Sequence, residues 1–381
     1  MKLLFTILLS LISFSSYSNN SATGWSGSFL PKEEATLSPL QYEVDYKEEE
    51  VRFINKREGN ALVGTLTLPQ TELPAPAVLL IAGSGPLDRD ATVYTHKPFA
   101  LLAHYLSSRG FIVLRYDKRG VGKSNGSAIA TTQELATDAE AALSYLRLRT
   151  EVNKEAVGVI GHSEGGIIAP MLDTPTNRLS FMVLLAAPGL QGKELLLQQG
   201  RALLQQHFSG EVLITKVVDV YKSCYQLAQQ ELNDERLKQA VDSVLTQASM
   251  DQIVGSFFTK QQNLLLREAT TSPWVRYFLR MNPSNWLNLY QLNTPTFALN
   301  GALDKQVDAS TNLQAIANAF KDNPNFTSKV YPHLNHFFQQ AESGNLEEYA
   351  TLTTSISPEV MSDIYLWISS LLNKKESTPV K

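Results

Sequence analysis

The sequence predicts an α/β protein with a mostly parallel central sheet, helices on both faces of that sheet and an inserted helical cap. Short apolar runs alternate with amphipathic segments along most of the chain, which is typical of a parallel sheet covered on both sides. A block without strand-like runs interrupts this alternation at residues 191–285. In addition, 43% of the 381 residues are hydrophobic and 18% are charged, which excludes a disordered or low-complexity chain.

The first 18 residues have the pattern of a secretory signal peptide. Lys2 is followed by an apolar run over residues 3–14 and then by small polar residues, with cleavage predicted near Ser18. The apolar run is about twelve residues long, whereas a membrane-spanning helix needs ~20. We therefore expect an exported protein, periplasmic or secreted, without a stable membrane anchor. Residues 19–50 are polar and then acidic, and are interpreted as an N-terminal extension.

The strands and helices of the core follow from hydrophobic periodicity. Apolar residues recur at every second position in parts of residues 51–68, as in a half-buried antiparallel pair of strands. The core is predicted in two parts, at 51–190 and 286–374. Helical spacing is found at 98–108, 132–149 and 165–172, and apolar runs interpreted as strands lie at 77–83, 111–117, 156–161, 181–187, 295–300 and 327–331.

Residues 191–285 are predicted to form the cap. Up to about residue 266 the apolar positions recur at helical intervals, and the strand pattern returns near Thr294, so the block is interpreted as an insertion. The return path at 274–286 is rich in aromatic residues, which either line a cavity beneath the cap or belong to the core. The single cysteine, Cys224, is interpreted as a buried core thiol.

Charge and cysteine content exclude several classes of function. Lys and Arg number 33 and Asp and Glu 37, which gives a formal charge of −4, so nucleic acid is not expected as the main ligand. One cysteine excludes a disulfide framework and any Cys-rich zinc or iron–sulfur site. No cluster of His and carboxylates has the spacing of metal ligands, and neither a metal nor an organic cofactor is expected.

The segment 161–165 (GHSEG) is the strongest functional motif. A serine between glycines at this spacing permits a sharp strand-to-helix turn, because bulky Cβ atoms would collide there. The pattern alone is common, but here a predicted strand ends at Gly161 and a predicted helix begins at Gly165. The turn leaves the hydroxyl exposed at its apex. Ser163 is therefore the predicted nucleophile.

A serine nucleophile needs a base, and the base needs an acid that fixes its tautomer. Asp304 follows the strand at 295–300 and is the candidate acid; the alternative, Asp308, is expected to cap the next helix. His336 follows the last strand and is the candidate base, preferred to His333, which lies beside a proline. His162, beside the nucleophile, is expected to pack in the turn.

Backbone N–H groups are expected to bind the oxyanion that forms during acyl transfer. One donor is the N–H of Glu164, at the start of the helix that follows the nucleophile. The second is the N–H of Ser84, in the glycine-rich loop after the strand at 77–83, with Gly85 as the alternative. Charged residues near this loop are interpreted as structural ion pairs: residues 88–90, Arg115, Asp117 and Arg119.

Together these motifs resemble the α/β-hydrolase superfamily, and within it the exported bacterial esterase and serine-aminopeptidase-like branch. The resemblance implies an α/β-hydrolase fold, the triad Ser163, Asp304 and His336, and oxyanion donors at Ser84 and Glu164. Ala82 departs from the pattern, because many relatives carry histidine there, so any support that this histidine gives the oxyanion loop is absent or replaced. The matching stretches are 81–90 (IAGSGPLDRD), 96–99 (HKPF), 114–124 (LRYDKRGVGKS), 160–166 (IGHSEGG), 299–307 (LNGALDKQV) and 334–338 (LNHFF).

The predicted function is hydrolysis of a small-molecule ester or a short peptide-like substrate through an acyl-enzyme. A serine aminopeptidase or acyl-peptide hydrolase would use the same residues and would need a cap carboxylate to bind a free amine. A thioesterase would need a basic patch for its coenzyme, which the sequence does not show. A non-enzymatic binding module would keep the fold with a degraded triad, whereas here all three residue types are present.

Overall fold

The computed structural model describes residues 46–71, 74–175, 177–231, 233–282 and 293–376. An eight-stranded sheet with the order β1-β2-β4-β3-β5-β6-β7-β8 forms its centre. The pairs β1–β2 and β2–β4 are antiparallel and the other pairs are parallel, which confirms the predicted α/β class. The strands are β1 (Tyr46–Asn55), β2 (Asn60–Pro69), β3 (Ala75–Ile81), β4 (Ile112–Tyr116), β5 (Val152–His162), β6 (Met182–Leu185), β7 (Thr296–Gly301) and β8 (Phe326–Tyr331).

Helices cover both faces of the sheet. Successive residues of β3 point to opposite faces, so that Leu79 joins one hydrophobic core and Leu80 the other. The first core includes α2, α3, α9 and residues of the cap, and the second includes α1 and α10. The described ranges contain α1 (Pro98–Ser107), α2 (Thr132–Leu148), α3 (Glu164–Leu172), α4 (Gly192–His207), α5 (Glu211–Gln230), α6 (Asp234–Ser249), α7 (Lys260–Thr271), α8 (Pro273–Arg280), α9 (Ala309–Ala319) and α10 (Pro358–Glu376).

The edge strand β1 begins at Tyr46, earlier than the predicted core boundary at residue 51. Its glutamates form ion pairs with basic side chains of neighbouring elements: Glu48 with Arg115 at 3.2 Å, Glu49 with Arg149 at 2.9 Å and Glu50 with Lys123 at 2.6 Å. Because these partners lie far away in sequence, the acidic run did not look like a strand. The acidic end of the predicted extension at 19–50 therefore belongs to the sheet.

The predicted signal peptide, residues 1–18, lies outside the described residues, as does the predicted extension up to residue 45. Export therefore stays a prediction. In the part of the chain that the structure describes, no helix has the length and apolar character needed to cross a bilayer.

The helices α4 to α8 all lie between β6 and β7, within the range predicted for the cap. Of the aromatic return path, residues 274–282 are described and residues 283–286 are not. Cys224 lies in α5 with no exposed surface, as predicted for a core thiol. Burial raises the pKa of this thiol to about 12, which keeps it protonated at neutral pH.

The parallel strands place the predicted functional loops at one edge of the sheet. The pairs Ile81–Gly161 and Gly301–Tyr331 lie at or next to the carboxyl ends of their strands, and β3, β5, β6, β7 and β8 pair in parallel in that order. Each of the loops that follow β3, β5, β7 and β8 therefore starts from the same edge. These loops carry Ser84, Ser163, Asp304 and His336 in turn.

Candidate active site

Ser163 lies at a tight turn between β5 and α3, with φ of 53° and ψ of −120°. Backbone in this region is strained for a residue with a side chain, at a cost of about 1–3 kcal/mol. A methyl group on Gly161 would lie 2.1 Å from the Gly165 carbonyl oxygen, and one on Gly165 would lie 2.1 Å from the Ile81 carbonyl oxygen. Both flanking positions therefore accept only glycine, as the sequence predicted.

Asp304 and His336 are hydrogen-bonded to each other. His336 Nδ1 lies 2.7 Å from Asp304 Oδ2, and both side chains are buried. The other carboxylate oxygen, Oδ1, accepts bonds from the backbone N–H groups of Gln306 and Val307, both at 2.8 Å. A carboxylate bound to Nδ1 selects the tautomer with its proton there, which leaves Nε2 as the nitrogen that accepts a proton.

The two alternative residues lie elsewhere. Asp308 caps α9, where its Oδ1 accepts a bond from the backbone N–H of Thr311 at 3.1 Å. His333 is exposed to solvent. The structure thus brings together the acid and base that the sequence analysis preferred, and gives Asp308 the capping role that was expected of it.

His162 connects the turn at Ser163 to the loop that carries His336. Its Nε2–H donates to the His336 carbonyl oxygen at 2.9 Å, and the two imidazole rings are 4.7 Å apart. Burial, reinforced by the neighbouring His336, lowers the pKa of His162 to about 3, so this ring stays neutral. Packing was expected here from the sequence, but the hydrogen bond was not, because its acceptor lies in a distant loop.

The loop around His336 is fixed by its own hydrogen bonds. The buried Asn335 side chain accepts bonds from the backbone N–H groups of Phe337 and Gln339, both at 3.0 Å. Phe338, with a φ of 58°, adopts the left-handed backbone region in the same loop. The position of the His336 ring is therefore set by the backbone on one side and by Asp304 on the other.

The glycine-rich loop after β3 passes directly over the nucleophile. A methyl group on Gly83 would lie 3.0 Å from Ser163 Cβ, so the two backbones are in close contact. Ser84 and Gly85 are partly exposed at this edge. The Nζ of Lys118 donates to the Gly83 carbonyl oxygen at 2.7 Å. This contact of Lys118 was not predicted, because no local sequence pattern relates Lys118 to a loop 35 positions earlier.

Most of the charged residues near this loop form the structural ion pairs that were predicted, whereas Asp88 accepts hydrogen bonds from Thr92. Arg89 and Asp90 connect the loop to the end of β4, and Arg119 connects the segment after β4 to α2. Arg89 binds Asp117 at 2.7 Å, Arg115 binds Asp90 at 2.9 Å, and Arg119 binds Asp138 at 2.6 Å.

A cavity of about 430 Å³ lies between the core and the cap, beside the residue that follows the nucleophile. Glu164 is buried in its wall, where one carboxylate oxygen accepts bonds from Thr132 Oγ1 and Trp274 Nε1, both at 2.7 Å. Trp274 therefore lines the cavity, whereas Phe278 of the same predicted aromatic stretch is buried in the core. The remaining walls are formed by Gly85, Pro86, Lys118, residues 128–130, Leu135, Asp234, Lys238, Glu268, Ala269 and residues 271–273.

A match to the sequence model of a known family shows which family the chain belongs to. The sequence model of the serine aminopeptidase family S33, a family of α/β hydrolases, matches residues 95–340, which is more than half of the chain. The chain belongs to this family. The matched range contains the turn at Ser163, the cap, Asp304 and His336.

Two curated relatives share part of the sequence. Esterase EstD of Thermotoga maritima is 37% identical over 141 residues, which cover 37% of this chain and 34% of the relative. An uncharacterized protein of Pseudomonas aeruginosa, PA2218, is 30% identical over 127 residues, 32% of each chain. The chain thus matches about a third of the length of each relative.

The fold is shared with solved structures. A structure of the Pyrococcus furiosus esterase Pf2001 aligns with a TM-score of 0.53 and 17% identity, covering 86% of this chain and 92% of the esterase. At this level of identity the likeness concerns the fold alone. It supports the α/β-hydrolase fold that the resemblance implied.

Proposed function

We propose that the protein is a serine hydrolase, an esterase that cleaves carboxylic esters through Ser163, His336 and Asp304. The observation that carries the proposal is the 2.7 Å bond between His336 Nδ1 and Asp304, which leaves Nε2 as the proton acceptor. The loop that carries His336 starts from the same edge of the sheet as the turn that carries Ser163. The backbone of Ser163 is strained in that turn. Strain of this kind concentrates at functional sites.

In the first step Ser163 forms the acyl-enzyme. Its Oγ forms a bond to the ester carbonyl carbon while its proton passes to His336 Nε2, and Asp304 stabilises the resulting imidazolium. The carbonyl oxygen becomes an oxyanion that accepts hydrogen bonds from the backbone N–H groups of Ser84 and Glu164. The bond between carbonyl carbon and alcohol oxygen then breaks, and the departing oxygen takes the proton from His336.

In the second step water releases the acyl group. His336 Nε2 takes a proton from water as the water oxygen forms a bond to the acyl carbon. The same two backbone N–H groups bind the second oxyanion. The bond to Ser163 Oγ breaks, and Oγ recovers its proton from His336. One ester and one water thus give one alcohol and one carboxylic acid, with no change of oxidation state.

The ion pairs of the cap carboxylates favour esters over substrates that need a cap carboxylate to bind a free amine. Two cap carboxylates, Asp234 and Glu268, line the cavity and are the candidates for binding an amine. Each is already ion-paired with an arginine, Asp234 with Arg276 and Glu268 with Arg267. A substrate amine would compete with those arginines for the carboxylates, whereas a neutral acyl or alcohol group needs no carboxylate partner.

A matched substrate panel tests the proposal. We expect the purified protein to hydrolyse p-nitrophenyl acetate and butyrate with kcat/KM at least about 100-fold above that for aminoacyl p-nitroanilides. The opposite order would replace the esterase by an aminopeptidase. If neither series is turned over and a fluorophosphonate does not label the protein, the serine hydrolase proposal itself is wrong.

The two aspartates give a matched pair of variants. D304N keeps the side-chain shape but removes the carboxylate that selects the His336 tautomer, so kcat for p-nitrophenyl butyrate should fall by about 10⁴-fold. D308N should leave kcat within about twofold and change stability by less than about 1 kcal/mol, because asparagine also caps helices well. Steady-state kinetics and thermal melting measure both. Equal loss of kcat in the two variants would contradict the assignment of Asp304.

A further inference from the structure

Lys118 is a buried lysine beside the proposed active site. It lies in the loop after β4, with 7% of its surface exposed. Lysines are almost never buried to this degree unless they are paired. Two groups face its Nζ: the Gly83 carbonyl oxygen at 2.7 Å and Glu164 Oε2 at 3.7 Å. Both belong to the segments that supply the two proposed oxyanion donors.

The bond to Gly83 fixes the direction of the Ser84 N–H. The Gly83 carbonyl and the Ser84 N–H belong to one planar peptide group, and in a trans peptide they point in opposite directions. Holding the oxygen in place therefore holds the N–H in place as well. A bond from a lysine amino group to the carbonyl also polarises the peptide, which makes the N–H a stronger donor.

The contact with Glu164 connects the second donor to the same lysine. The backbone N–H of Glu164 is the other proposed donor, and its side chain is buried with 1% exposure. Thr132 and Trp274 bind one carboxylate oxygen, while the other has no hydrogen-bond partner among the described residues and faces Lys118. Lys118 thus lies between the loop after β3 and the start of α3.

We propose that Lys118 is a positioning residue that orients the oxyanion hole by holding the peptide between Gly83 and Ser84 against the start of α3. The inference rests on the proposed esterase function. It assigns Lys118 no contact with the reacting atoms. Its effect is expected on the transition state, where the oxyanion forms, and not on the binding of the neutral ester.

A structural role gives a different expectation. If Lys118 only compensated the buried charge of Glu164, its removal would matter while that charge is present and would be harmless once the charge is gone. Positioning through Gly83 does not depend on the Glu164 charge. The effect of K118M is therefore compared in the parent and in an E164Q background, as a double-mutant cycle.

The experiment measures kcat and KM for p-nitrophenyl butyrate, inhibition by a phenylboronic acid and thermal melting. The boronic acid forms a tetrahedral adduct with a serine and thus reports on the oxyanion hole. K118M should lower kcat about 10- to 100-fold. This decrease is smaller than or similar to the decrease in kcat that follows removal of one oxyanion donor. KM should stay within about threefold, and inhibition should weaken by a factor similar to that in kcat.

The comparison in the E164Q background decides between the two roles. In the E164Q background K118M should still lower kcat by about 10-fold or more. This holds even if thermal melting shows that the double variant is as stable as E164Q alone. A K118M effect that disappears in this background, or one that appears only in KM, would overturn the inference. This comparison also remains available if K118M alone does not fold.

Lys123 provides the matched control. It lies in the same loop region, but its side chain is exposed and pairs with Glu50 at the surface. K123M should leave kcat, KM and boronic acid inhibition within about twofold of the parent. The activity of the parent enzyme distinguishes a failure of the positioning role from a failure of the esterase proposal. If the parent hydrolyses esters and K118M retains full kcat, only the positioning role is wrong, whereas an inert parent would refute the esterase function.

Discussion

The S163A variant is expected to lose ester turnover by roughly 10⁴-fold or more while its fold is retained. The proposed reaction needs the Oγ atom as the nucleophile, and no other group takes its place in that step. Alanine keeps the Cβ atom that lies close to Gly83. The backbone bonds of residue 163, from its N–H to Leu185 and from Gly166 to its carbonyl, do not involve the side chain.

Steady-state kinetics with p-nitrophenyl butyrate measures the loss, and thermal melting tests the fold. Ser144 offers a matched control, because it is an exposed serine of α2 whose hydroxyl donates to the Glu140 carbonyl oxygen of its own helix. S144A should keep kcat within about twofold of the parent, as is usual for surface substitutions. Turnover by S163A at the rate of S144A would rule out Ser163 as the nucleophile.

Replacing His336 by alanine should reduce turnover by a similar factor, about 10⁴- to 10⁶-fold, because Ser163 then has no base. H333A removes an exposed histidine from the same loop and should leave kcat unchanged within about twofold. The pair is informative because the two residues are three positions apart, so the variants disturb the same segment of chain.

H336A also leaves the buried Asp304 carboxylate without its imidazole partner, with an expected loss of about 1–3 kcal/mol of stability. Kinetics are therefore measured at a temperature where melting shows both variants to be folded. A large loss of kcat in H333A, or an active H336A, would show that the base has been misassigned.

The parts of the site that depend on local sequence could be predicted. The glycines at 161 and 165 are needed within one short turn, so their spacing identifies the turn without knowledge of the rest of the chain. Asp308 was expected to cap a helix because asparagine, aspartate, serine and threonine are preferred at that position. Asp304 and His336 were found because each follows a predicted strand, and parallel strands end at one edge.

The parts that depend on distant neighbours could not be predicted. The acidic start of β1 becomes a strand because Arg115 and Arg149 meet its glutamates, and no periodicity records those partners. The resemblance implied that Ala82 stands where many relatives carry histidine, but it did not indicate what supports the loop instead. In the structure Lys118 binds that loop at Gly83, from a segment well downstream.

The most direct test of the central claim is peptide mapping after reaction with a fluorophosphonate, which attaches covalently to an activated serine. The account predicts one modified residue, Ser163, and loss of the modification in H336A, because the hydroxyl is activated by that imidazole. A parent enzyme that hydrolyses esters but carries the modification on another residue, or that is modified equally well without His336, would contradict it.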